Sequence, residues 1–577
     1  MSWYNEAVFY HIYPLGLCDA PKENAYTAPV HRLNDALPWI SHIKSIGCNA
    51  IYIGPLFESV GHGYETTDYK VLDSRLGDNA DLTNFVAECH AQQVKVIFDG
   101  VFNHVGRDFF AFKDLQINRE SSAYRDWFCN VNFSGNNEYN DGFSYENWGG
   151  YNLLVKLNQH NPAVKEYIAD VIRFWVKEFD VDGIRLDAAD VLDFDYMHML
   201  RDVANEVKPD FWLMGEVIHG DYTKWVNGDT LHAVTNYALH KALYSGHNDH
   251  NYFEIAHTVK RLYEMGGNRP DGLRLYNFTD NHDVERIYTK LNNKAHFAPV
   301  HVLLYTLPGV PSIYYGSEFG IDGKKEAFSD ASLRPALCYD DYANALETND
   351  HTKLIAALGN MRLRTPALSY GTYRELILTN RQYAFAREYE GQSVLVTVNN
   401  DDSACDLYVA AGNCHAYLGV LSGRQLPVEN GQLAVHLDAN SGEVWLPVSE
   451  LSLSDDTDKV VVVETPTPVF EEHTATVDEI VSDTNTDTDA DTVTDADAGS
   501  TTDSISDSAV APEIPQNGSV ETVASNTADF EHGKIVGLQE AILAIMETKG
   551  FVTDQMRQDV WNNTHHDSLI TWIKSFH

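Results

Sequence analysis

Long apolar runs are missing from this 577-residue chain. No stretch approaches 18 uninterrupted apolar residues, so no membrane-spanning helix is expected. The opening MSWYNEAVFYHIYP has no basic start followed by an apolar run, so no secretory signal is read there. Cysteine is sparse and unpatterned. The seven (Cys18, Cys48, Cys89, Cys129, Cys338, Cys405, Cys414) are odd in number and form no CxxC pair. That argues against a disulfide framework or a cysteine zinc site and favours reduced thiols in a cytoplasmic protein. Basic residues are outnumbered, 41 Lys and Arg against 84 Asp and Glu, for a formal charge of -43. Such a chain repels nucleic acid and anionic membranes, and neither is expected as a partner.

What is present is enough for several cores: hydrophobic residues make up 44% and aromatics 11%. The length implies two or more domains. From residue 7 to about 370, short apolar runs (AVFYHIYP, NAIYIGP, VKVIFDG, DGIRLD, FWLMGE, HAVTNY, LRLYNFTD, PSIYYG) alternate with amphipathic segments. Eight strand–helix alternations predict an α/β fold, a parallel (β/α)8 TIM barrel over residues 1–374. After the third strand, residues 104–160 are too long for a loop and predict an inserted subdomain. Residues 375–450 turn to short alternating strands and predict an antiparallel β-sandwich. Residues 451–531 hold roughly half of the negative excess and read as a disordered linker. Their DTNTDTDADTVTDADAG lacks the glutamate and flanking helices of a calcium loop. Residues 532–577 regain helical periodicity and predict a small module, a candidate for self-association or protein docking.

Loops at the C-terminal ends of barrel strands build active sites. Those ends hold GHGYETTDY after strand two, Asp99 with Asn103 and His104 after strand three, and Asp187 after strand four. Glu216 follows strand five, and His282 and Asp283 follow strand seven. An Asp after a strand is more often a helix cap than a catalyst. Three carboxylates with two histidines at one rim are harder to assign to capping alone. Arg185 lies inside an apolar strand, two residues before Asp187, where a charge is costly unless it meets an anion. With no metal or thiol pattern, this set points to acid–base chemistry on an uncharged polyol. Glycoside hydrolysis uses such a carboxylate pair. Arg185 is expected to hold Asp187 ionised, and the apolar FWLMGE to raise Glu216.

The segments DGVFNH, GIRLDAAD, GEV and FTDNHD resemble, in order and spacing, the four diagnostic regions of the α-amylase family of glycoside hydrolases. NAIYIGPLF and GVPSIYYGSE resemble two further family segments, and the likeness covers about residues 5–450. It implies that Asp187 is the nucleophile of a retaining reaction, Glu216 the general acid/base, and Asp283 the stabiliser of the distorted sugar. It also implies that Arg185 positions Asp187, that His104 and His282 hold the sugar, and that Tyr64 stacks on it. Asp99 is implied as a structural carboxylate of the same substrate-holding group. No cofactor is implied as required, although Asn103 is a candidate ligand for a structural calcium. LLVKLN (153–158) is similar to a segment of the neopullulanase, cyclomaltodextrinase and maltogenic amylase group. That group usually carries an N-terminal β-domain, whereas here the first strand is read almost at residue 1. The implied activity is hydrolysis of α-1,4 links in maltodextrins. Transfer to a sugar acceptor, as by a glucanotransferase or trehalose synthase, is the alternative. The intact carboxylates argue against a non-catalytic binding protein.

Overall fold

The computed structural model describes residues 2–448, apart from 267–272 and 328; the acidic linker and the C-terminal module lie outside the described residues. Among the described residues, eight parallel strands form the barrel: β1 Phe9–Ile12, β2 Ala50–Ile53, β3 Lys95–Gly100, β4 Gly183–Leu186, β5 Trp212–Gly215, β6 Ala233–Val234, β7 Tyr276–Phe278 and β8 Val310–Tyr314. β1 pairs with both β2 and β8. A single parallel bridge between Thr235 and Tyr276 closes the ring from β6 to β7.

Successive side chains of a strand point to opposite faces. Tyr10, Ile51, Val96, Phe98, Ile184 and Leu213 accordingly face the surrounding helices in one large core. Phe9, Ala50, Tyr52, Ile97, Trp212, Met214, Tyr276 and Phe278 fill the barrel interior. Arg185 faces inward by the same alternation. Its register partners are Asp99 on β3 and Met214 on β5. The interior is therefore apolar at its lower end and charged toward the rim.

Residues 104–160 leave the barrel after β3. They contain strands His104–Gly106, Asn147–Trp148 and Tyr151–Lys156, paired antiparallel, and helix Phe110–Asn118. The chain returns through helix Pro162–Phe179. Asn161 caps it by accepting from Ala163 N, with proline at the first position.

Eight antiparallel strands follow: β9 Thr372–Leu378, β10 Gln382–Tyr389, β11 Gln392–Asn399, β12 Cys405–Ala410, β13 Ala416–Gly419, β14 Gln425–Glu429, β15 Gln432–Leu437 and β16 Ser441–Val448. They pair in the order β9-β10-β11-β16-β13-β14-β15-β12. Ala386, Leu395, Val409, Leu433, Val435 and Trp445 pack together in a core of their own. Buried Arg387, on β10, ties this domain to the barrel, and buried Arg362, on the barrel's own helix Asp350–Leu363, braces the same barrel segment. Arg387 donates to Thr306 O (2.7 Å) and Gly371 O (3.0 Å), and Arg362 to Tyr305 O (2.5 Å) and Gly309 O (2.6 Å). They satisfy end carbonyls of helix Phe297–Thr306, where a helix favours cations. Burial lowers both guanidinium pKa values, to about 9 for Arg362 and about 10 for Arg387. Arg387→Leu is expected to lower stability by about 3 kcal/mol, because two buried carbonyls lose a charged donor. Chemical denaturation of the variant measures it.

Candidate active site

The rim residues converge on one cleft of about 280 Å³. Tyr64, His104, Asp187, Glu216 and Asp283 line it, together with His62, Trp148, Leu154, Ala188, Asp330 and Arg334. Asp187 follows β4 directly and Glu216 follows β5. These strands pair with Arg185 opposite Met214 and Leu186 opposite Gly215, so the two carboxylates leave the barrel side by side. Asp99, Arg185 and His282, grouped with the sugar-holding residues by the sequence, do not line the wall. They lie behind it, Asp99 and Arg185 3% exposed and His282 1%. Gly54, immediately after β2, gives Asp99 its room, since a Cβ there would fall 2.3 Å from Asp99 Cβ.

Arg185 is the hub. Its Nη1 donates to Asp99 Oδ1 (2.8 Å) and Oδ2 (3.1 Å) and to Asp187 Oδ1 (3.0 Å), while Nη2 meets Glu216 Oε2 at 2.8 Å. Tyr52 and Tyr64 hydroxyls donate to Asp99 Oδ2 at 2.8 and 3.1 Å, which fixes that carboxylate. The backbone N–H of Ala188 reaches Glu216 Oε2 at 3.2 Å. Ala188 takes a left-handed conformation (φ 45°), a strained one for a residue with a Cβ. The strain sits between the two carboxylates it helps to place.

Burial is the largest influence on Asp187 and pushes its carboxyl well up; Arg185 opposes this, and Glu216, Asp99 and Asp283 add to it. Glu216 is also raised by burial, again against Arg185. The expectation that Arg185 would hold Asp187 low is thereby corrected. The guanidinium is divided among three carboxylates, so its share does not offset desolvation. Burial works against the Arg185 charge too, but Asp99 and then Glu216 outweigh it and raise its pKa. Asp187 and Glu216 share Arg185 and each raises the other's burden of charge, so the pair titrates as a unit. Activity should therefore follow a bell-shaped pH profile. The acid limb marks a second proton on the pair, and the alkaline limb marks loss of the first, above the ordinary carboxylate range. A pH–rate profile of kcat/KM checks it.

The histidines are neutral. Burial lowers His104 to about 3 and His282 well below its usual value. His282 Nε2 lies 2.5 Å from Tyr64 Oη and 3.0 Å from Asp283 Oδ2, so it backs the Tyr64 ring from behind. Asp283 is clamped on its other oxygen by Arg334 Nη2 at 2.9 Å. Arg334 also donates to Asp330 (3.3 Å) and to His282 O (3.0 Å).

The alpha-amylase catalytic-domain profile matches residues 37–367. The chain belongs to the alpha-amylase family of glycoside hydrolases. A cyclomaltodextrinase of Thermoanaerobacter pseudethanolicus is 34% identical over 372 residues, spanning 63% of this chain and 62% of that relative. Neopullulanase 2 of Thermoactinomyces vulgaris is 30% identical over 469 residues, 77% of this chain and 78% of the relative. Among solved structures, the native debranching enzyme of Nostoc punctiforme superposes with a TM-score of 0.65 at 27% identity. That likeness covers 77% of this chain and 98% of the Nostoc enzyme.

In this alpha-amylase family chain, several cleft residues carried no sequence signal. Arg334 and Asp330 lie in a loop without periodicity, and Trp148 sits in the insertion beside two glycines. Tyr237, just after β6, donates to Glu216 Oε1 at 3.3 Å and accepts from Asn281 Nδ2 at 3.2 Å. Arg334→Gln is expected to lower kcat/KM by roughly 10-fold or more, since Asp283 loses a charge-assisted bond. Steady-state kinetics measures it.

The side chains around Asn103 do not fit a calcium ion. Asn103 Oδ1 accepts from Gln159 Nε2 (3.1 Å), and its Nδ2 meets His104 Nδ1 (3.2 Å), so amide and imidazole nitrogens occupy positions where a hard cation needs oxygens. Among the described residues, His31, Asp78 and Asp81 form the one cluster of three ligand-type side chains. It is committed to a helix cap, with Asp78 and Asp81 in a capping box and His31 on Asp81 at 2.6 Å. None of the seven cysteines is in a disulfide. No helix among the described residues is long and apolar enough to cross a membrane.

Proposed function

We propose that this protein is a retaining hydrolase of α-1,4-linked maltodextrins. Asp187 attacks the anomeric carbon and forms a covalent glycosyl ester. Glu216 protonates the leaving oxygen and then deprotonates the incoming water. The observation that carries this reading is the single guanidinium touching both carboxylates, through Nη1 and Nη2. Such sharing suits the separation of about 5–5.5 Å that direct attack requires. The reaction needs a proton on Glu216 and none on Asp187, because Asp187 must offer an unprotonated oxygen.

Asp283, held by Arg334 and His282, binds sugar hydroxyls opposite the nucleophile and stabilises the distorted ring. Tyr64 offers its face to the sugar, and His104 offers a neutral imidazole. The unprotonated carboxylates of the cleft favour the developing positive charge. The names of the relatives support an α-glucan substrate, and the free cysteines accord with a cytoplasmic location. Product analysis on maltotetraose, pullulan and β-cyclodextrin tests the reading. Glucose and maltose as dominant products of maltotetraose are expected; products longer than the substrate, or trehalose, would replace hydrolysis by transfer.

A further inference from the structure

We propose that Gln159, acting through Asn103, sets the tautomer of His104, so that the imidazole presents Nε2–H to the cleft. The polarity of the chain starts from a group whose role cannot reverse. The backbone N–H of Asp193, at the cap of helix Phe194–Val207, lies 2.6 Å from Gln159 Oε1. A backbone N–H is always a donor, so the carbonyl side of the Gln159 amide must face it. The Nε2 side then faces Asn103, which must answer with its oxygen, at 3.1 Å. Asn103 is left with Nδ2 toward His104 Nδ1, at 3.2 Å. An N–H cannot usefully meet another N–H, so Nδ1 supplies its lone pair. In a neutral ring the proton then sits on Nε2.

Asn103 is fully buried and Gln159 is 5% exposed, which keeps water from scrambling the order. Asn103 O also accepts from Leu157 N (3.0 Å), tying the β3 loop to the end of the insertion. His104 Nε2 is buried and makes no hydrogen bond among the described residues, although the Tyr64 backbone also acts on the ring, and the ring lines the cleft. Its plane lies within 10° of the Trp148 ring, with centroids 6.4 Å apart. The unpartnered nitrogen is thus a donor held in reserve for a substrate oxygen, and Gln159 is a positioning residue acting from outside the cleft. That a sugar hydroxyl is its target rests on the function proposed above; the tautomer does not.

The test is the ring-nitrogen spectrum of the whole chain labelled with 15N-histidine. His104 is identified as the signal lost in His104→Gln. The expected wild-type pattern is a protonated Nε2 and a bare Nδ1, read without substrate. Gln159→Glu places a second acceptor against Asn103. Asn103 must turn its Nδ2 toward that acceptor and its oxygen toward His104, which moves the proton to Nδ1. The tautomer is expected to invert, and kcat/KM on maltotriose to fall roughly 10-fold, the loss of one substrate hydrogen bond. Gln159→Leu, which removes the polarity without reversing it, is expected to give a mixture of tautomers. A wild-type Nδ1–H tautomer would overturn the proposal, as would an unchanged Nε2–H tautomer in either folded variant. An inverted tautomer in a protein with no activity on glucans would instead contradict the proposed function alone.

Discussion

Asp187→Asn is expected to lower kcat by roughly 10⁴-fold or more, the scale on which loss of a nucleophile is felt elsewhere, while the fold becomes more stable at alkaline pH. The two effects have one cause. Asp187 is buried at the rim, and its raised pKa means that the folded state resists its ionisation. A carboxyl raised above its unfolded value contributes stability that is complete below the unfolded pKa and lost as pH rises through the folded one. The wild type therefore gives up stability on going from pH 5 to pH 8, and a neutral asparagine of the same shape does not. The melting temperature of Asp187→Asn should exceed that of the wild type by a margin that widens with pH. A margin that narrows, or turnover near the wild-type rate, would contradict the assignment. Glu216→Gln should also lose several orders of magnitude on maltotriose. It should lose much less on α-glucosyl fluoride, whose leaving group needs no proton.

Arg185→Met is the second large effect, and its main readout is stability. Arg185 is 3% exposed and contacts Asp99, Asp187 and Glu216. Removing it leaves three buried carboxylates facing one another with no cation among them. Breaking a buried ion pair from one side typically costs about 3–5 kcal/mol. Asp187 and Glu216 lose the group that holds their pKa values down, so both rise further. By the same linkage, the deficit should be greatest near pH 8 and shrink toward pH 5, where the carboxyls are protonated and neutral. Activity should vanish with it, because neither carboxylate keeps its place or its charge. Urea denaturation at the two pH values measures the deficit, and a deficit equal at both would show that Arg185 acts by packing alone.

The barrel and the main carboxylates were legible in the sequence for the same physical reason. Strands of a closed parallel barrel alternate inward and outward, and each ends at the rim. Short apolar runs followed by Asp187, Glu216 or His282 therefore announce both the fold and the site. Arg185 was legible because a charge among Val181, Ile184 and Leu186 needs an anion. Its division among three carboxylates was not. Asp99 and Asp187 are 88 residues apart, and only the register of β3 against β4 brings Asp99 opposite Arg185. Arg334 and Asp330 were invisible because loops carry no periodicity. Their place is fixed by distant anchors, such as Tyr314 Oη and Arg286 Nη2 on Leu333 O. Trp148 ends the insertion's short edge strand Asn147–Trp148, and nothing in WGGY says which ring turns to the cleft.

Reaction through a covalent ester on Asp187 is tested most directly by the stereochemistry of the first product. Two displacements at the anomeric carbon retain its configuration, whereas a single attack by water inverts it. Proton NMR of maltotetraose during the first turnovers, before mutarotation mixes the anomers, reads the outcome. Newly released reducing ends should appear as the α anomer. Initial release of the β anomer would contradict the account.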